Sequence, residues 1–177
     1  VALTSAVAAL IGSPIGAFIN MAIDEKYLMY ILIVILPVVA LFVILKKDFG
    51  EKNLSANVKK SKTIIMSIII GFTIGMYDGF FGPGTGTFLI FAYTTVLSFD
   101  LVTASGNAKI VNLSSNIAAF ITYALSGKIL WYIGLLAAVF GIAGNWIGAG
   151  LALKNGKKII KPMFFIALGL LLIKIIY

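Results

Sequence analysis

Residues 28–45, LMYILIVILPVVALFVIL, and residues 129–153, ILWYIGLLAAVFGIAGNWIGAGLAL, contain no charged side chain. Uncharged runs of that length match the hydrocarbon core of a bilayer, which takes about 20 helical residues to cross. Inside lipid a chain must pair its own backbone groups, so only helices and closed barrels can span. A barrel would need repeated ~10-residue segments of alternating polarity, and the sequence has none. The apolar segments are 1–19, 28–45, 63–98, 101–126, 129–153 and 162–177. Hydrophobic residues make up 61% of the chain and charged residues 11%, where a soluble domain carries roughly a quarter charged. The expected class is an all-α polytopic membrane protein in the cytoplasmic membrane, with the lipid bilayer as its main partner.

The net charge of +8 comes from fourteen lysines and no arginine. Six lysines fall in 46–62 and four in 154–161, between apolar spans. That distribution sets membrane orientation and argues against nucleic acid as a partner. The chain has no cysteine and no histidine, which removes disulfides, thiol chemistry and the usual zinc and haem ligands. No metal or cofactor is expected. No phosphate-binding Gly-x-x-x-x-Gly-Lys-Ser/Thr loop occurs, so a self-contained ATP-driven pump is not expected either.

The segment 63–98 is about twice the length one crossing needs. Gly82, Pro83, Gly84 and Gly86 interrupt it, dividing it into helices 64–81 and 87–98, of ~27 and ~18 Å. A segment that enters, turns at GPGTG and returns puts both lysine-rich loops on the cytoplasmic side, as the positive-inside tendency favours. The reading is a re-entrant, Gly/Pro-broken helical hairpin. GSPIGAFI (12–19) also matches GNWIGAGL (144–151), and the same offset pairs 28–45 with 160–177. In this topology the two copies run in opposite senses, as in the inverted-repeat helical bundles of secondary transporters. Residues 1–45 are then the end of a first repeat, 46–62 a cytoplasmic linker, and 63–177 a second repeat. A hairpin equivalent to 64–98 would precede Val1, so an intact chain is expected to be about 70–80 residues longer.

A broken helix at membrane depth must face protein or a water-filled cavity. The second arm offers unpaired N–H groups at its start, with Thr85 or Thr87 expected to cap it. Gly84 and Gly86 let backbone approach a ligand closely, and a helix N-terminus attracts anions. On the following helix Ser105, Lys109, Asn112 and Asn116 share one face, with Asn107 and Ser114 on its flank. Lys109 is ~13 Å along the helix from Asp100, a depth at which a charge marks a candidate functional site. Asp78, one turn before the break, is expected near Lys109, either as a proton-coupling group or as half of an ion pair. Tyr27, Tyr30, Trp131, Tyr132 and Tyr177 read as interfacial anchors.

GMYDGFFGPGTGTFLI (75–90), TASGNAKIVNLSSNIAAFITYALSGKI (103–129) and the more generic GIAGNWIGAGLA (141–152) resemble the second half of the TauE/SafE sulfite exporter family. Residues 1–45 resemble the end of its first half. The resemblance implies export of small anions, chiefly sulfite and organosulfur compounds such as sulfonates. It puts Gly82, Pro83, Gly84, Thr85 and Gly86, with Asn107 and Lys109, at a central substrate site; Thr87 and Asn112 join them on the reading of the residues. Sulfite, sulfoacetate, carboxylates and halides would all fit a positive cradle with hydrogen-bond donors. The expected function is secondary anion transport by alternating access. An anion channel and a non-transporting scaffold subunit stand as alternatives. A membrane enzyme is disfavoured, because no nucleophile–base pair is present.

Overall fold

The computed structural model describes residues 1–24, 26–28, 30–31, 33–35, 37–38, 53–55 and 58–155. All regular structure among them is helical. The helices are α1 (Ala2–Ala22), α2 (Lys60–Phe80), α3 (Thr85–Val96), α4 (Leu101–Leu125) and α5 (Trp131–Asn155). Both α1 and α2 are long and apolar enough to cross a membrane. Helix α2 begins inside the expected linker 46–62, and the break falls at 81–84. The final apolar segment, 162–177, and most of 28–45 lie outside the described residues. Two compact units divide the chain, Val1–Ser126 and Gly127–Tyr177. The first holds α1–α4; α5 belongs to the second.

Helices α1 and α2 approach backbone to backbone. A Cβ on Gly71 would lie 2.7 Å from Cα of Ser5, one on Gly75 2.7 Å from Cα of Ala9, and one on Gly79 2.7 Å from the carbonyl carbon of Ser13. The partners advance four residues at a time on both helices, so α1 and α2 run parallel and in register. Gly12 and Gly16 meet the backbone of Phe72, Met76 and Phe80 in the same way. Small residues at such spacing are how membrane helices pack, because lipid supplies no hydrophobic drive between them. The Ser5 hydroxyl donates to the Ser67 carbonyl at 2.8 Å near one end of the seam. At the other end the Asn20 amide donates to the Phe80 carbonyl at 2.9 Å.

After α2 the chain turns sharply. Gly82 and Gly84 have φ of +86° and +84°, a left-handed backbone that only glycine adopts readily. Helix α3 then doubles back, and beyond its end the Ser98 carbonyl accepts from the Leu54 N–H at 2.9 Å. The chain before α2 and the chain after α3 therefore lie side by side. Leu89, Tyr93 and Leu97 of this returning arm are fully buried with Ile70, Phe99, Ala104, Ala108 and Val111. Asp100 caps α4 by accepting from the Thr103 N–H at 2.7 Å. That bond, with the Thr103 hydroxyl, holds its carboxyl below the usual carboxylate range. Helix α4 buries Ala104, Ala108, Val111, Ser115, Ala118 and Thr122, a single stripe at helical spacing.

Gly75→Ala should lower stability by about 1–3 kcal/mol, since the methyl would force the α1–α2 backbones apart; thermal unfolding in detergent measures it. The cysteine-free sequence permits a topology test. On the hairpin topology expected from the sequence, single cysteines replacing Gly50 and Gly156 should both react with a membrane-impermeant maleimide from the cytoplasmic face alone, and labelling from opposite faces would overturn that topology.

Candidate functional site

Four helices converge on one carboxylate. Asp78, in the last turn of α2, is 9% exposed. Its Oδ1 accepts from the hydroxyl of Thr85, the first residue of α3, at 2.6 Å. Its Oδ2 accepts from the hydroxyl of Ser115 on α4. The Ser115 carbonyl in turn accepts from the Ser13 hydroxyl on α1 at 2.7 Å. An ionised carboxylate is an acceptor only, and a buried one needs such donors to offset its desolvation.

The two sides of the break are treated differently. The carbonyls freed at the end of α2 and in the turn receive side-chain donors. Asn20 serves Phe80, Tyr123 serves Gly79 at 3.1 Å, and Tyr77 serves Pro83 at 2.7 Å. The start of α3 has no side-chain cap. Thr85, expected to cap it, is instead a donor, with its hydroxyl between Asp78 and the Gly82 carbonyl, the latter at 2.7 Å. The amides of Gly86 and Thr87 have no carbonyl a turn earlier in α3 to receive them. A Cβ on Gly86 would meet nothing within 4 Å. Gly82 and Gly84 are required by their φ angles; Gly86 is required by neither packing nor conformation.

The remaining expected residues lie along α4. Asn107 donates to the Thr103 carbonyl of its own helix at 2.7 Å. Lys109 is on the exposed side, about 120° around the helix from Ser115. Asn112 is half-buried between those two positions. Its side-chain oxygen is buried and has no hydrogen-bond partner among the described residues. The expected proximity of Asp78 and Lys109 is not what forms in this unit. Two hydroxyls hold the carboxylate, and no ion pair with Lys109 occurs among the described residues. No cluster able to hold a metal is found among them.

Sequence reasoning passed over Ser115, Tyr77, Tyr123 and Asn20. The signal for Ser115 was present: it falls in step with Ala104, Ala108 and Val111, on the apolar stripe rather than the polar one. Asn20 and Tyr123 had no local signal, since each serves a carbonyl far away in the chain, whereas Tyr77 serves one in the turn that follows its own helix.

The sequence matches the sulfite exporter TauE/SafE family over residues 1–175, and the chain is a member of that family. It is 30% identical over 167 residues to a "Probable membrane transporter protein" of Haemophilus influenzae, covering 94% of this chain and 64% of the relative. It is 31% identical to "Probable membrane transporter protein YfcA" of Escherichia coli K12, covering 94% and 61%. It is 32% identical over 155 residues to "Probable membrane transporter protein ORF9" of a Sinorhizobium species, covering 88% and 58%. The chain thus spans about three fifths of the length of these relatives. No solved structure matches it.

Thr85→Val should leave one side of the buried Asp78 carboxylate unpaired and cost about 1–3 kcal/mol. Thr85→Ser, which keeps the donor, should melt close to the native protein in the same assay.

Proposed function

We propose that the chain supplies one wall of the site of a secondary transporter that exports small anions, with sulfite and organosulfur anions such as sulfonates the leading substrates. The observation that carries this reading is the asymmetry of the break. Its carbonyl side is provided with donors from α1, α2 and α4, while the amide side, at Gly86 and Thr87, has no side-chain cap. Free amides at the positive end of a helix, beside a glycine with open space over it, suit an anion. The family description names sulfite export, in keeping with a small oxyanion as cargo.

In this scheme α2, the turn and α3 form a re-entrant hairpin entering from the cytoplasmic side. The parallel course of α1 and α2 and the Leu54–Ser98 contact fit such a path. The substrate anion occupies the turn at Gly82, Pro83, Gly84, Thr85, Gly86 and Thr87. Lys109 contributes the positive charge, with Asn112 about 60° around α4 from it and Asn107 on the opposite flank of the same helix. Lys109 lies outside the packed stripe of its own unit, a position from which it faces whatever completes the site. Asp78 sits just behind the turn, where its negative charge opposes an incoming anion. Its protonation would relieve that repulsion, which couples anion movement to a proton. Alternating access then moves one repeat against the other around this site.

The test is flux in proteoliposomes containing the intact gene product. Radiolabelled sulfite should show saturable efflux, with sulfoacetate competing better than lactate. Lys109→Ala should reduce the flux at least tenfold, and Asp78→Asn should abolish its dependence on pH. No flux of any anion from folded protein would overturn the transporter reading. Single-channel currents in a planar bilayer would replace it with the channel alternative.

A further inference from the structure

We propose that Ser115, braced by Ser13, is a positioning residue that holds the Asp78 carboxylate ready to gain and lose one proton. The proposal deepens the proposed function, since it rests on Asp78 as the coupling group.

Three observations carry it. First, both hydroxyls that hold the carboxylate have a second acceptor within reach. The Ser115 hydroxyl lies 3.0 Å from the Asn112 carbonyl, and the Thr85 hydroxyl 2.7 Å from the Gly82 carbonyl. A hydroxyl has one proton and serves one acceptor at a time. With Asp78 ionised, both protons point at it. Once neutral, Asp78 carries an O–H that must itself donate, and the oxygens facing it are those of the two hydroxyls. The hydroxyl that accepts then turns its own proton to its spare carbonyl. The carboxylate becomes a carboxylic acid by adding one proton, and rotation about a C–O bond completes the rearrangement. No heavy atom has to move.

Second, Ser115 is fixed from outside its own helix. Its carbonyl accepts from Ser13 Oγ at 2.7 Å, and both serines are fully buried. Ser13 is itself held by the backbone contact of its residue with Gly79. Thr85, by contrast, stands at the start of α3 beside the turn, and its spare acceptor, Gly82, belongs to that turn. Ser115 therefore anchors the carboxylate on the rigid side while Thr85 links it to the substrate side. Third, the surroundings of Asp78 are neutral. Among the described residues they are Ser13 on α1, Tyr77 on its own helix, Thr85 on α3, and Ser115 and Tyr123 on α4, with Lys109 away on the exposed side. With no fixed cation among these neighbours, hydroxyl donors set how tightly the proton is held.

The test is an infrared pH titration of the full-length protein in lipid, reading the C=O stretch of a protonated carboxyl. Asp78→Asn should remove the band. Ser115→Ala should change its frequency and raise its midpoint by about one pH unit, a tenfold gain in proton affinity, because a donor to the charged form is lost. Ser115→Thr should restore the native titration, and Ser13→Ala should shift the midpoint in the same direction by less. A native midpoint and frequency in Ser115→Ala would overturn the proposal, as would a band that survives Asp78→Asn. If Ser115→Ala does not fold, an unshifted Ser13→Ala overturns it. The titration is read without substrate. Expected shifts in a protein that moves no anion would sustain the role of Ser115 and sink the transport reading alone.

Discussion

The contact between the backbones of α1 and α2 is the constraint on which the rest of this unit depends. Two helices that meet at Ser5 and Gly71, Ala9 and Gly75, and Ser13 and Gly79 leave no space for even one added methyl. That closeness brings Ser13 within reach of α4 and sets Asp78 against Ser115. It also lets Asn20 reach across to the frayed end of α2. Dispersion between close-packed atoms is small for each pair and large in sum, and in lipid it is much of what holds helices together. A wider pair would lose both the packing and the polar contacts aligned by it.

Around that pair the polar groups follow one logic. Breaking a helix inside a membrane exposes carbonyls on one side and amides on the other, and each orphan is costly in a dry setting. The carbonyl side draws its donors from three helices, so the break is a supported structure and not a defect. The same support supplies hydroxyls to a buried carboxylate. Charge, break and helix start are thereby placed within one or two turns of each other.

Much of this was legible in the sequence. The helical class followed from the uncharged runs, and the break at 81–84 from Gly82, Pro83 and Gly84, whose backbone demands are local. The boundaries of α1 and α4 were close for the same reason. Asp78, Thr85 and the turn stand out because polar and helix-breaking residues are rare within apolar segments, and the structure brings them into contact. What stayed hidden depended on partners distant in the chain. Gly71, Gly75 and Gly79 show their spacing openly, yet nothing local says that α1 is what they meet. Lys109 was placed beside Asp78 by depth alone; depth fixes height along a helix and says nothing about the angle around it. Ser115 lies close to Lys109 in sequence but on the side that faces Asp78.

The parallel register of α1 and α2 has a mechanical consequence. Serine and alanine seat against glycine once in every four residues on both helices, so a slide of a fraction of a turn would drive side chains into backbone. The pair can move past itself only in whole-turn steps of about 5.4 Å, each requiring the helices to separate first. It therefore behaves as a ratchet locked in one notch. Any larger rearrangement of the unit must leave this seam intact and move the two helices together as one body.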